Sequence, residues 1–323
     1  MLLGAGLLTG MAVGAAAGGW WLLGGIVLAA SLAASSVLTR PTEWPVLRAA
    51  TLVALAAMLA LSFAAYLVPE YPVPAAASLI VVVTGAVVVG AEVPVYGRRL
   101  LVGVLLLAAA GFVAICVAIA PPGTGDAWFA YPSGDLVLYQ IPPWPASLLP
   151  GPAGILSSAV VLFALFTVVD RRRPRRTLVL LIAAGAGVAL TVAAAAFYQL
   201  GPFRLALSPT SLRDALAAAD AAELTTMLDA LVVLATVPAV LVVLAAGRDE
   251  LLHGRRHWPR GACTVLAGAS AALLVTVGSP GVALLLASTL ALGALLMGWA
   301  HAAIRPRLAP GRAGSGPHHR TSD

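Results

Sequence analysis

The sequence has no lysine, only two cysteines and few charged residues of any kind. Charged residues make up 10% of its 323 positions, against about 25% in a typical soluble domain. Cys116 lies inside one apolar run and Cys263 at the start of another, so neither has the close partner that a metal site or a redox pair requires. These shortages argue against a soluble protein, a disulfide-stabilised fold and a thiol-based metal site.

Apolar residues are abundant instead, since 61% of the chain is hydrophobic and the mean hydropathy is +0.99. We therefore predict an all-α integral membrane protein. Ten runs have the length of about 17–25 residues that a helix needs to cross a bilayer. They are residues 2–19, 20–39, 47–68, 74–91, 99–120, 153–170, 177–199, 226–247, 261–278 and 281–303.

The arginines stand between these apolar runs and predict the orientation of the chain. The densest group begins directly after Asp170, with five arginines in the six residues from Arg171 to Arg176. Short loops rich in arginine mark the cytoplasmic side of a membrane protein. With both termini in the cytoplasm, only Arg204 and Arg213 fall outside. The net charge of +6 and the pI near 10.0 thus indicate topology and contact with anionic lipids rather than nucleic acid binding.

The loop over residues 121–152, which contains no arginine, separates five predicted spans from five others. An odd number of crossings inverts the second half relative to the first, as in the inverted repeats of many secondary transporters. We predict a first five-helix repeat over residues 1–120 and a second over 153–305. An outer loop over 121–152 joins them, and a disordered cytoplasmic tail follows over 306–323.

Two predicted outer loops are long enough to have structure of their own. Residues 121–152 are rich in proline and aromatic residues, which either rest at the membrane interface or form a lid or a partner-docking surface. Residues 201–225 predict one or two short amphipathic helices, capped by Ser208 or Ser211. The candidate partner-docking residues in the first loop are Trp128, Tyr131, Tyr139 and Trp144.

Four segments resemble, in order, motifs of the amino acid/polyamine/organocation (APC) transporter superfamily, in particular of its bacterial amino acid permeases. GAGLLTG, from Gly4 to Gly10, is similar to the first-helix motif GxGIFxxTG. VLFALFTVVD, from Val161 to Asp170, is similar to the sixth-helix motif FFAFxGFD. RRPRRTL at 172–178 and GRDELLHGRRHWPRG at 247–261 resemble two loop motifs of the family. The resemblance implies a multi-pass protein of the bacterial plasma membrane, with two inverted five-helix repeats.

The resemblance also implies a function, which is the transport of amino acids or related organic cations by alternating access, without a cofactor. A zwitterionic substrate needs free backbone N–H groups and free carbonyls, and helices interrupted at mid-membrane supply both. The family places its substrate where helices 1 and 6 are interrupted. The residues at the corresponding positions of this chain are Gly4, Ala5, Gly6, Phe163, Phe166 and Thr167.

Departures from the family pattern leave a second function open. Only three residues precede Gly4, and the sixth-helix motif lacks its glycine. Asp170 is followed at once by Arg171, so the half-helix after the motif is missing. The alternative is a non-transporting, degenerate transporter fold that acts as a structural or regulatory subunit of a membrane complex. A break near Gly4 facing a polar cavity would favour transport, whereas an unbroken first helix with a filled core would favour the subunit.

Individual residues in the spans allow competing interpretations. Gly6, Gly10, Gly14 and Gly18 form one helical stripe, which favours close helix packing over substrate binding. Asp229 lies inside an apolar run and is therefore a candidate coupling residue, although a place at the N-terminus of a helix near the outer surface also explains it. We find no acid–histidine cluster, phosphate-binding loop or serine with a base, so neither an enzyme nor a metal or cofactor site is predicted.

Overall fold

The computed structural model describes residues 2–39, 44–119, 152–167, 174–254, 259–276 and 278–308. Every regular element within these ranges is a helix, as predicted. The long helices are α1 (Leu2–Gly18), α2 (Leu22–Thr39), α3 (Pro45–Leu67), α4 (Pro72–Val89), α5 (Val95–Ala118), α6 (Pro152–Thr167), α7 (Arg175–Leu207), α9 (Thr225–Gly254), α10 (Arg260–Val275) and α11 (Pro280–Leu308). The short helix α8 (Ser211–Ala218) lies between α7 and α9.

Seven helical runs in the described part of the chain are long and apolar enough to cross a membrane, which makes this a multi-pass membrane protein. The first of them, Gly4–Thr39, contains both α1 and α2, and these are joined by a 3-10 turn at Gly19–Trp21. Gly19 has a φ of 53°, which a residue without a side chain adopts at little cost. The helices α6 and α10 are apolar but shorter, at 16 residues each.

The ends of the helices follow local sequence signals. Proline is the first residue of α3, α4, α6 and α11, where its missing N–H group would have no partner within the helix. At the other end of α4, Gly90 has a φ of 90° and forms the left-handed C-cap. The helix α7 continues beyond the predicted end at residue 199 to Leu207, because Gly201 (φ 67°) lets the chain kink and resume a helix.

The helix α3 lies at the centre of the bundle, since 78% of its most apolar 18-residue stretch is buried. It packs on α9, α11, α4 and α10. The helices α1 and α2 each pack on both α6 and α7, and α4 packs on α9 and α10. The two halves of the chain therefore interleave and do not form separate domains. The helix α5 is peripheral, with 17% of its most apolar window buried, and it packs chiefly on α7.

Some of the predicted features lie outside the described residues. These include the aromatic residues Trp128, Tyr131, Tyr139 and Trp144, together with the stretch from Asp170 to Arg173. The helix α11 continues to Leu308, and the remainder of the predicted tail, residues 309–323, lies outside as well.

Candidate functional site

The helices α1 and α6, which carry the residues expected to bind substrate, pack directly on each other. The glycine stripe of α1 faces α6 in this contact. A Cβ atom on Gly6 would lie 2.5 Å from a methyl carbon of Leu165, and one on Gly10 would lie 3.0 Å from the same side chain. The space beside these glycines is thus occupied by Leu165, as the packing interpretation of the stripe predicts.

Two serines of α6 form hydrogen bonds to α1 along the rest of this contact. Ser157 donates a hydrogen bond to the carbonyl of Ala17 at 2.7 Å, and Ser158 donates one to the carbonyl of Gly14 at 3.1 Å. At the end of the contact, a Cβ atom on Gly18 would lie 2.5 Å from the backbone carbonyl oxygen of Gly154. Helices that approach this closely gain dispersion energy and leave no room for a solute.

Both helices are continuous at the expected substrate site. The positions Gly4, Ala5 and Gly6 lie within the unbroken α1, and the positions Phe163, Phe166 and Thr167 lie within the unbroken α6. Ala5 is fully buried, and the side chains of Phe163 and Phe166 are 1% and 3% exposed. The interruptions that the resemblance implies are therefore absent from the described parts of these two helices.

The backbone of α6 near Phe163 has partners from another helix. Ser288 of α11 is completely buried and donates a hydrogen bond to the carbonyl of Val161 at 2.6 Å. The N–H group of Ala164 donates to the same hydroxyl at 3.2 Å. A substrate zwitterion would require such backbone groups to be free, whereas here a serine side chain binds them.

The backbone of α1 has partners in a similar way. The Tyr66 hydroxyl, on α3, donates to the carbonyl of Leu8 at 3.2 Å, and Ser211 of α8 donates to the same carbonyl at 3.4 Å. One residue further on, Thr9 is hydrogen-bonded to Ser62 of α3. Because Tyr66 is 1% exposed, it belongs to this buried network and not to the surface of the bundle.

The short helix α8 covers this network and is held there by charged groups. Arg213 forms an ion pair with Asp229 of α9 and donates a hydrogen bond to the carbonyl of Tyr66 at 2.9 Å. The predicted capping by serine is wrong: the N-cap is Thr210, without a side-chain bond, and Ser208 is hydrogen-bonded to Asp214. Asp229 thus joins α8 to the first turns of α9 and lies near that end of the bundle.

A cavity of about 1940 Å³ is lined chiefly by the helices α5, α7 and α9, with residues of α1 and α6 also in its wall. We call it the α5 cleft. Four of the expected substrate-site positions, namely Gly4, Phe163, Phe166 and Thr167, contribute to its wall. Leucine, valine and alanine side chains line most of it, but one end carries charged groups. We call this the arginine end, and its residues are Arg48, Glu92, Arg98, Arg99, Arg248, Asp249, Glu250 and His253.

Two arginines at this end have acidic partners. Arg48 at the start of α3 pairs with Glu250 at 3.1 Å, and Arg248 pairs with its neighbour Asp249 at 2.8 Å. Arg98 and Arg99, in the first turn of α5, form no ion pair or side-chain hydrogen bond with the described residues. Within the part of the chain that the structure describes, no group of three histidine, cysteine or acidic residues is placed to hold a metal ion.

No pattern in the sequence indicates the roles that Tyr66, Ser211 and Ser288 have in the structure. Each is a common residue in an apolar or loop segment, and its partner lies at least 58 positions away along the chain. Only the tertiary arrangement brings them to the backbone of α1 and α6. A scan against protein-family models and a search of curated protein sequences each found no match to this chain.

Proposed function

We propose that this protein is a non-transporting member of a transporter-like architecture, acting as a structural or regulatory subunit of a membrane complex. The proposal includes ten spans in two inverted repeats of five and both termini in the cytoplasm. It also places the protein in the plasma membrane of a bacterium, as a shortened and divergent relative of the APC superfamily. Three kinds of observation support it.

The packing pattern supports two repeats related by a two-fold axis. Let α1 to α5 correspond to α6, α7, α9, α10 and α11. Corresponding helices then pack on each other in four cases, which are α1 with α6, α2 with α7, α3 with α9 and α4 with α10. If each helix is replaced by its counterpart in the other repeat, the α2–α6 contact becomes the α1–α7 contact. In the same way α3–α4 becomes α9–α10, and α4–α9 becomes α3–α10. All six contacts are present. Such exchange is what an inverted repeat requires.

The position of the arginines supports the orientation. Arg48, Arg98 and Arg248 belong to three different helices, yet they line the same end of the α5 cleft. Arg213 is instead on α8, which contacts the network around Tyr66 near the C-terminal end of α3. Because arginines concentrate on the cytoplasmic side, we assign the arginine end to the cytoplasm and α8 to the outer surface.

The closed contact between α1 and α6 is the observation that favours a subunit over a transporter. Leu165 fills the space beside Gly6 and Gly10, and Ser288, Tyr66 and Ser211 bind the backbone groups that a substrate would need. Opening this contact would break the hydrogen bonds that Ser157 and Ser158 donate to carbonyls of α1, and it would also separate Leu165 from the glycine stripe. A permanently closed contact is what a scaffold needs.

A permease is the second candidate, and the α5 cleft favours it. The wall of this cavity includes Gly4, Phe163, Phe166 and Thr167, so an amino acid or organic cation that entered from the arginine end would reach the family's expected positions. In that case the α1–α6 contact would have to separate during alternating access, and Asp229 would be the candidate coupling residue.

Ligand binding to the purified full-length protein distinguishes the two candidates. For the subunit we expect no saturable binding from a radiolabelled pool of amino acids and polyamines, and no difference between the native protein and the Phe166→Trp variant. Saturable binding that Phe166→Trp abolishes would overturn the subunit proposal in favour of the permease.

The subunit proposal also predicts a binding partner, and the size of the complex in native membranes tests this prediction. We propose that the partner binds through the outer loop 121–152, whose aromatic residues include Trp128 and Trp144. In native gels of gently solubilised membranes, the protein should migrate in a complex larger than itself. The Trp128→Ala/Trp144→Ala variant should lose that complex, whereas Trp20→Ala, which changes a tryptophan of the α1–α2 turn, should keep it. Migration of the native protein alone would contradict the proposal.

A further inference from the structure

We infer that the α5 cleft is a binding site for an anionic diacyl phospholipid, with an acyl chain inside the cleft and the phosphate at Arg98 and Arg99. This inference goes beyond both candidate functions. It is compatible with the subunit, whereas in a permease the lipid would occupy the cavity through which the substrate enters. Three features of the cleft support it.

The first feature is that side-chain hydrogen bonds hold the C-terminal end of α5. Near its C-terminus, the amide of Gln199 on α7 donates to the carbonyls of Cys116 and Ile119, at 2.6 and 2.8 Å. Arg98 and Arg99 at its N-terminus have no such attachment to the described residues, and both are exposed. The arginine end of the cleft thus carries two exposed guanidinium groups that form no ion pair with the described residues.

The second feature is the apolar wall. Leu105, Phe112 and Ile115 of α5 face the cleft, with Leu228 and Val232 of α9 among the residues on the other side. From Arg98 to Ile115 the helix rises about 26 Å, which exceeds the thickness of about 15 Å of one leaflet's hydrocarbon layer. An apolar cavity of this size within a bilayer offers dispersion contacts to hydrocarbon and no partners for water.

The third feature is the charge at the arginine end. The other two arginines there are neutralised by Glu250 and Asp249, and Glu92 offsets part of the remaining charge. Arg98 and Arg99 are consecutive and supply two guanidinium groups at one end of the apolar wall. A phosphate bears the matching negative charge, and phosphates at membrane depth belong to lipid headgroups. An anionic phospholipid satisfies the arginines and the apolar wall together.

Native mass spectrometry of the full-length protein in detergent tests the headgroup contact. The probes are dioleoyl phosphatidylglycerol and, for comparison, the zwitterionic dioleoyl phosphatidylethanolamine. The native protein should retain phosphatidylglycerol preferentially. The Arg98→Gln/Arg99→Gln variant should bind it at least about tenfold more weakly. The control, Arg175→Gln/Arg176→Gln, removes two exposed arginines that do not line the cleft, and it should behave like the native protein.

A second pair of variants tests whether a chain enters the cleft. Gly111 lines the cleft and has open space beside it, whereas Gly103 lies on the same helix with open space but does not line the cleft. Gly111→Trp should reduce phosphatidylglycerol binding about tenfold, and Gly103→Trp should leave it unchanged. Equal binding of the two lipids, equal loss in both arginine variants, or no effect of Gly111→Trp would each overturn the inference.

Discussion

Gly18 shows how little space separates α1 from α6. A methyl group there would meet the backbone carbonyl of Gly154, which cannot rotate away as a side chain can. The neighbouring Gly14 would meet only leucine side chains, which have some freedom to move. The spacing of the four glycines predicted close packing from the sequence alone, but it could not indicate which of them is the tightest, because that depends on the partner helix.

We expect Gly18→Ala to destabilise the protein by about 1–3 kcal/mol, since the added methyl group overpacks a rigid contact. The control is Gly187→Ala, at an exposed position inside α7 with nothing within 4 Å of its Cβ site, which should be neutral or stabilise by about 0.5–1 kcal/mol. Thermal unfolding in detergent measures both. Equal unfolding temperatures for the two variants would show that the α1–α6 contact is looser than described.

Hydrogen–deuterium exchange of α8 tests whether Asp229 has a structural role. Its ion pair with Arg213 is partly exposed, with side chains 34% and 29% accessible, so it contributes about 0.2–1 kcal/mol. Asp229→Asn should therefore increase hydrogen–deuterium exchange of the α8 amides by about two- to fivefold, and Glu223→Gln, at an exposed acid in the same loop, should not. An Asp229→Asn variant that abolished an ion-coupled uptake but left α8 exchange unchanged would instead identify a coupling residue.

At the scale of elements, α5 illustrates what a sequence pattern can and cannot predict. Its length and apolar composition predicted a membrane-spanning helix, and the helix is present from Val95 to Ala118. Its loose attachment could not be predicted, because lipid and protein interiors select the same apolar residues. The role of Gln199 in holding the C-terminal end of α5 could not be predicted either, because its partners lie 80 or more positions away along the chain.

Replacing this amide should loosen α5. In the Gln199→Leu variant, the carbonyls of Cys116 and Ile119 lose a buried donor that water and lipid cannot replace, at a cost of about 1–3 kcal/mol. Exchange of the amides in the last turn of α5 should therefore accelerate at least about fivefold. Thr191→Val removes an exposed hydroxyl of α7 that bonds only within its own helix, and it should have no effect there. Unchanged exchange in Gln199→Leu would place the anchor of α5 elsewhere.

At the scale of the whole molecule, the hydrophobic pattern predicted the helices well and their interruptions poorly. Runs of apolar residues fix where helices form, so the ten predicted spans each contain a described helix. The expected breaks near Gly4–Gly6 and Phe163–Thr167 came from a resemblance of motifs. Whether glycine breaks a helix or lets another helix approach is decided by the neighbour, here Leu165 and Ser288, and no local pattern contains that information.

The orientation of the molecule can be tested in intact cells. In a variant without Cys116 and Cys263, a cysteine replaces either Tyr71, between α3 and α4, or Tyr96, in the first turn of α5; these side chains are 65% and 84% exposed. A membrane-impermeant maleimide should label Tyr71→Cys in intact cells and Tyr96→Cys only after the membrane is permeabilised. The reverse result would invert the proposed topology.

The interleaving of the two halves has a consequence for biosynthesis. The main packing partners of α1, α2, α4 and α5 are all helices made later, from α6 onward. During synthesis these early helices must therefore remain in the lipid without their main packing partners until the second half has been inserted. A ribosome that stalls before α6 would leave a fragment whose largest tertiary contact is the one between α3 and α4, and such a fragment is expected to be a substrate for membrane proteases. The protein is therefore expected to acquire protease resistance in one late step, and not progressively as each helix emerges.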